Sequence, residues 1–404
     1  MTQPTEKLYI NDSLTLAFRA KILGKSQWQN QPSLLLDRSA FYPEGGGQPG
    51  DHGHLVCNGK KVEVVDVQID AEGLVHHLTD HPTEEGFEQG EVIDGEVEGH
   101  RRRDYMSQHT GQHMLSAMIE KTMDMPTMSA RLGSKSGTID VKGDPEKFTK
   151  TQLQAIEDAI NVLVLKDLPI DILYPTPEAL VDLGLRRAPK VSENIRIIKV
   201  GDFDCTPCGG THCQRTGQVG PVKIMGTERY KGLTRLSFLA GKRTLDYLSR
   251  QDSILSDLTN LVGCAPEELQ SHFTRQRDEL KRANQELGVF RAQAIRHEAA
   301  NLIEQWAGDH RPRILVREAE DLKASRQLAA ALIQNANTLI LIASREDDQQ
   351  DWRLILTRSD DHDFDCGAWF RNQGKSAGAR GGGRPNRAEG SLPGDMDPNA
   401  LVLL

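Results

Sequence analysis

This sequence has no run of apolar residues approaching the ~20 that a membrane span needs, and its N-terminus lacks the basic-then-apolar pattern of a secretion signal. Six cysteines scattered over 404 residues do not make a disulfide framework, which points to a reducing cytoplasm. The excess of positive charge that wholesale electrostatic binding of nucleic acid requires is also missing, because the formal net charge is −9. That balance leaves room for local basic surfaces. Arg101, Arg102 and Arg103 are consecutive, and Lys242 and Arg243 form a smaller cluster. Between residues 371 and 390, Arg371, Lys375, Arg380, Arg384 and Arg387 stand against the single acid Glu389. A chain of this length has room for two to four domains, each with its own core.

Up to about residue 99 the pattern is β. Short runs at 14–20, 33–37, 54–57, 61–67 and 73–78 are separated by Gly, Asn and Asp, and predict a small N-terminal β-barrel. Among them lies Phe41-Tyr42-Pro43-Glu44-Gly45-Gly46-Gly47-Gln48. Three consecutive glycines let the backbone curl around a small group and aim N–H groups at it; a tight barrel corner accounts for them equally well.

From His100 the pattern turns helical. Met106, His109, His113 and Ala117 recur at helical spacing, which puts both histidines on one inward face. A second helix is predicted at 148–165, with strands at 170–174 and 195–200. The latter leads through Gly201-Asp202-Phe203 into Cys208-Gly209-Gly210-Thr211-His212. Strands at 222–225 and 234–240 complete an α/β layer. Cys208 and His212 repeat the four-residue spacing of the histidines, and the glycines between them let backbone crowd in. Three imidazole nitrogens and a thiolate suit Zn²⁺ in a tetrahedral site. A closed structural site of Cys205, Cys208, His212 and Cys213 is the alternative, and it leaves His109 and His113 unexplained.

Residues 243–307 read as helix interrupted at Gly263, with Pro266 opening a new one. Leu269, Phe273, Gln276, Leu280, Ala283, Leu287, Phe290 and Ala294 alternate in steps of four and three. That stepping fits a plain amphipathic helix, a helical hairpin or the seam of a homodimer. Strand, helix and strand follow at 313–316, 322–335 and 338–343, with a further strand at 352–357. Glycine interleaved with arginine at 375–385 can cradle a phosphate. The fold class is therefore α+β: a β-barrel at 1–98, a zinc-containing α/β domain at 99–243, a helical linker at 244–308 and a C-terminal α/β domain at 309–404.

His-Thr-Gly-Gln-His at 109–113, Cys-Gly-Gly-Thr-His at 208–212 and the glycine motif at 41–48 together resemble the editing domain of alanyl-tRNA synthetases. They resemble still more closely the free-standing alanyl-tRNA editing proteins of the AlaX type, in their long form. The strand-helix-strand unit and residues 381–385 resemble the C-terminal domain that follows editing in those synthetases and is shared with DHH-type phosphoesterases. The resemblance implies hydrolysis, in trans, of the ester joining a wrong serine or glycine to tRNA-Ala. Only some forty residues precede Phe41, so no aminoacylation is expected.

The resemblance also implies that His109, His113, Cys208 and His212 hold the zinc. Ser39, where the family usually has threonine, and Gln48 are implied as the pocket that recognises the serine hydroxyl, a contact able to reject alanine by ~10⁴–10⁵. Arg101, Arg102, Arg103, Lys231 and Arg235 near the site, and Lys375, Arg380 and Arg384 farther off, are expected to contact tRNA phosphates. A non-catalytic tRNA-binding module with structural zinc is the alternative. A phosphoesterase would need an Asp-His-His cluster, to which Asp361-His362-Asp363 is a poor approximation. Threonyl-tRNA synthetase editing domains share the histidine and cysteine spacings, but residues 45–48 and the C-terminal motif favour alanine.

Overall fold

A computed structural model describes residues 3–82, 86–189, 191–309, 311–318, 321–347 and 349–403. It separates into two units, Met1–Leu258 and Thr259–Leu404.

The first unit begins with the expected closed barrel. Its strands run in the order Ala17–Trp28, Gln31–Leu36, Val75–Thr79, Lys60–Ile69, Gly53–Cys57 and Val92–Val97. Period-two alternation decides which side chains enter: in Val92–Val97 every second residue is buried. Ile22, Leu34, Leu36, Leu55, Val62, Val64 and Ile93 fill the interior. Two tight turns, Gln29-Asn30 and Asn58-Gly59, have positive φ at both residues, as type I′ hairpins require. The glycine motif leaves the barrel and docks on the strand Thr127–Leu132, where Leu132 N–H donates to Gly47 O at 2.8 Å. A Cβ on Gly47 would lie 2.4 Å from Ala130 O, so only glycine allows that approach.

The second layer surrounds the helix Gly99–Met123. Against it pack a four-stranded antiparallel sheet, ordered Val222–Tyr230, Leu233–Ala240, Gly137–Val141 and Thr127–Leu132, and the helix Lys150–Leu165. The latter starts where Thr149 and Gln152 form a reciprocal capping box. A three-stranded sheet of Ile170–Leu173, Ile197–Val200 and Asp204–Pro207 carries the chain to the cysteine motif. The helix is not one-faced as its spacing suggests: every residue from Tyr105 to Ile119 is buried. Its polar residues are satisfied inside. Gln108, for one, donates to Ala240 O at 2.7 Å and accepts from Ala240 N–H at 3.1 Å.

In the second unit the sheet runs Arg313–Glu318, Leu339–Arg345, Trp352–Arg358, Arg387–Leu392 and Arg380–Arg384, with only the first pair parallel. Leu322–Leu332 and the C-terminal part of the 37-residue helix Leu269–Gln305 contribute to a core with Ile340, Ile342 and Ile355. Trp369, Phe370, Leu401 and Leu403 belong to a second core with Leu341, Leu354 and Leu356. The Gly/Arg motif takes extended form. Arg380–Arg384 is an exposed strand, and a Cβ on Gly381 or Gly383 would lie 2.4 Å from a carbonyl oxygen of the neighbouring strand. Phe273, Leu280, Leu287 and Phe290 of the long helix are left exposed. Among the described residues, no helix is long and apolar enough to cross a membrane.

Candidate metal centre

The buried helix presents His109 and His113, one turn apart, to the loop that follows the strand Asp204–Pro207. That loop returns Cys208 and His212, and one ligating atom from each of the four lies within 4.8 Å of the others. Cys208 Sγ is 3.4 Å from His109 Nε2 and 3.3 Å from His212 Nε2. Backbone crowding makes this possible. A Cβ on Gly210 would sit 2.1 Å from His109 Cε1, whereas one on Gly209 would meet nothing within 4 Å. Arg196 pins the loop, its Nη1 donating to Cys208 O at 2.7 Å and Gly210 O at 3.0 Å, its Nε to Ile10 O at 3.0 Å.

Around the four lies a second ring of groups. Gln48 Oε1 is 2.7 Å from His109 Nδ1, and Gln48 Nε2 donates to Thr211 Oγ1 at 2.8 Å. Thr110 Oγ1 is 3.3 Å from His212 Nδ1. His113 Nδ1 is buried without a hydrogen bond. Burial holds His109 and His212 well below the usual histidine range and takes His113 down to about 3, helped by the charges of Arg186, Arg187 and Arg196. Burial also pushes the Cys208 thiol up. Three neutral imidazoles converging on one sulfur, with a ring nitrogen orphaned, would be a costly way to fill a core. As a donor set they fit a metal ion, since neutral imidazole is the ligating form. Cys205 and Cys213 lie outside the cluster.

The other sequence-derived candidates fall in different places. Gln48 reaches the site, with its amide oxygen at His109 and its amide nitrogen donating to Thr211. Ser39 is fully buried, its hydroxyl 2.7 Å from His77 Nε2 and accepting from Phe41 N–H at 3.0 Å. The hydroxyl expected in the substrate pocket is thus already engaged within the protein. For Arg102 the expectation is corrected. It is fully buried and bound to Asp51, Ser13 O and Ala40 O, so no phosphate can reach it. Arg101 donates to Gly50 O, and Arg235 pairs with Asp140 while lying 3.4 Å from the Tyr230 ring centroid. Arg103, Lys231, Lys375, Arg380 and Arg384 are exposed. Thr110 and Thr211 lay inside the motifs unremarked. Arg196 and Asp204 flank them with no pattern to mark them.

The Ser39 partner carries a pH dependence. Burial holds His77 at about 4 in the fold, against ~6.5 in an unfolded chain. Between those values the unfolded chain takes up a proton that the fold refuses, so stability falls as pH falls through that window. The loss should reach roughly 3 kcal/mol near pH 4. Urea unfolding at several pH values, wild type against His77→Gln, should show a slope shallower by about one proton in the variant.

A model of the second additional domain of threonyl and alanyl tRNA synthetases matches residues 195–237, and a model of class II (A) tRNA synthetases matches residues 9–101. The barrel and the cysteine loop thus both point to proteins of the tRNA synthetase class and their editing modules. More particularly, the chain is a homologue of a long-form alanyl-tRNA editing protein. It is 28% identical over 401 residues to the alanyl-tRNA editing protein AlaX-L of Pyrococcus horikoshii, covering 96% of this chain and 94% of that one. The alanine–tRNA ligase of Korarchaeum cryptofilum is 28% identical over 97% of this chain and 44% of the ligase. That of Halorubrum lacusprofundi is 34% identical over 65% of this chain and 28% of the ligase. The chain therefore spans less than half the length of these ligases.

Proposed function

We propose that this protein is a zinc-dependent aminoacyl-tRNA deacylase that acts in trans in the cytoplasm on Ser-tRNA(Ala) and Gly-tRNA(Ala). The convergence of His109, His113, Cys208 and His212, in a homologue of an editing protein along nearly its whole length, carries this reading. A three-nitrogen, one-sulfur set suits zinc. Bound there, zinc supplies Lewis acidity at the ester.

The chain's own residues do the rest. Gln48 Oε1 accepts from His109 Nδ1–H, which leaves the Nε2 lone pair facing the cluster. The buried helix and the Arg196-pinned loop exclude bulk water and keep the four ligands in register. Arg103 and Lys231, and separately Lys375, Arg380 and Arg384, are the exposed cations left to hold tRNA phosphates, with an affinity that falls as salt rises. A homodimer through the exposed apolar stripe of the long helix belongs to the same proposal. A ligand set already numbering four also suits a structural ion, which makes a non-catalytic tRNA-binding module the second reading.

Deacylation of Ser-tRNA(Ala), Gly-tRNA(Ala) and Ala-tRNA(Ala) by the purified chain separates the two. The first two esters should be lost rapidly and the third spared, with activity abolished by a chelator and restored by zinc. Survival of all three with zinc-loaded protein would leave only the binding module.

A further inference from the structure

Two of the three imidazoles in the cluster have an outward nitrogen with a partner: Gln48 Oε1 for His109 and Thr110 Oγ1 for His212. His113 Nδ1 has none within hydrogen-bond reach, although it is buried. A carboxylate oxygen, Asp204 Oδ2, stands 3.9 Å away. That is beyond hydrogen-bond length, and closing it takes an approach of about an ångström.

Asp204 is not a surface acid. Its side chain is 1% exposed, and it accepts from Arg186 Nε at 2.7 Å, Arg186 Nη2 at 3.2 Å and Thr206 Oγ1 at 3.1 Å. Arg186 is shared with Glu120, 3.8 Å on its other side. A carboxylate offers about four acceptor positions; Arg186 brings two donors and Thr206 one, shared at 3.1 Å between both oxygens, so one position is left for a further donor. Asp204 opens the strand that delivers Cys208, so one short segment brings both the thiol and the carboxylate to the site.

We propose that Asp204 is a positioning residue for the metal centre: it accepts the Nδ1 proton of His113 and turns Nε2 toward the cluster, while Arg186 and Thr206 hold the carboxylate. The proposal rests on the metal-centre reading above. The three imidazoles are then set by three different acceptors, an amide, a hydroxyl and a carboxylate, each fixing one tautomer.

The test uses the full-length protein, with zinc affinity measured by competition with a chromophoric chelator and ring nitrogen shifts measured by NMR in the metal-free state. His113 of the wild type should appear as the Nδ1–H tautomer. In Asp204→Asn, Arg186 claims the amide oxygen and turns the NH₂ toward His113, a donor facing a donor. The tautomer should therefore switch, and zinc affinity should fall roughly 10–100-fold. Arg186→Gln leaves the carboxylate in place and should lose distinctly less. An Nε2–H tautomer in the wild type, unchanged affinity in Asp204→Asn, or equal losses in both variants would overturn the proposal, the last by making Asp204 a mere anchor for Arg186. The wild-type tautomer decides the matter even if a variant fails to fold. Failure of the wild type to take up zinc at all would instead bring down the metal-centre reading, and this proposal with it.

Discussion

Alanine at position 210 should abolish tight metal binding, and alanine at position 209 should not. The Cβ of Gly210→Ala would lie 2.1 Å from His109 Cε1, 2.5 Å from His109 Nδ1 and 3.1 Å from Gln48 Oε1. Something must move, and neither side is free to. His109 sits on a helix buried on all sides, with Nδ1 held by Gln48. The loop cannot retreat, because Arg196 holds the carbonyls of Cys208 and Gly210. Overpacking of this kind costs ~1–3 kcal/mol in stability. A ligand displaced by about an ångström can cost a site ~10²-fold, and zinc affinity and deacylation should fall together by at least that much. Gly209→Ala meets nothing within 4 Å and should behave as wild type in both assays. Equal behaviour of the two variants would mean that the close approach of loop to histidine does not matter.

Replacing Arg102 with methionine is expected to destabilise the first unit by ~3–5 kcal/mol, the usual result of removing one partner from a buried ion pair. The Asp51 carboxylate would remain buried, retaining the Tyr42 N–H at 2.6 Å but no cation. Ser13 O and Ala40 O would each lose a donor now at 2.6 Å. Urea unfolding followed by circular dichroism measures the loss. A variant as stable as wild type but weaker in binding tRNA would return Arg102 to the nucleic-acid surface.

The arginine run shows how much of this site the sequence discloses. Successive residues on a helix point about 100° apart, so three consecutive arginines cannot share a face. Arg101 lies 4.8 Å from the Tyr105 ring centroid, Arg102 points inward and Arg103 is exposed. Periodicity, by contrast, was legible. The four-residue spacing of His109 and His113 and the alternation in the barrel strands both follow from local geometry, and both appear in the fold. The remainder depends on partners distant in sequence. Nothing near Gln48 tells that its amide spans His109 and Thr211, and nothing near Asp204 points to His113. The glycines of Arg380–Arg384 likewise answer to the backbone of the next strand, which composition alone does not reveal.

Cys208 lies 99 residues beyond His109, and Thr211 lies 163 beyond Gln48. During synthesis the four ligands cannot all be present until residue 212 has emerged from the ribosome, by which time the barrel and the histidine helix have long been made. An ion held by these four residues would therefore be captured late, after the early part of the chain has been made. The apolar interior of the barrel, by contrast, is lined entirely by residues that precede His109.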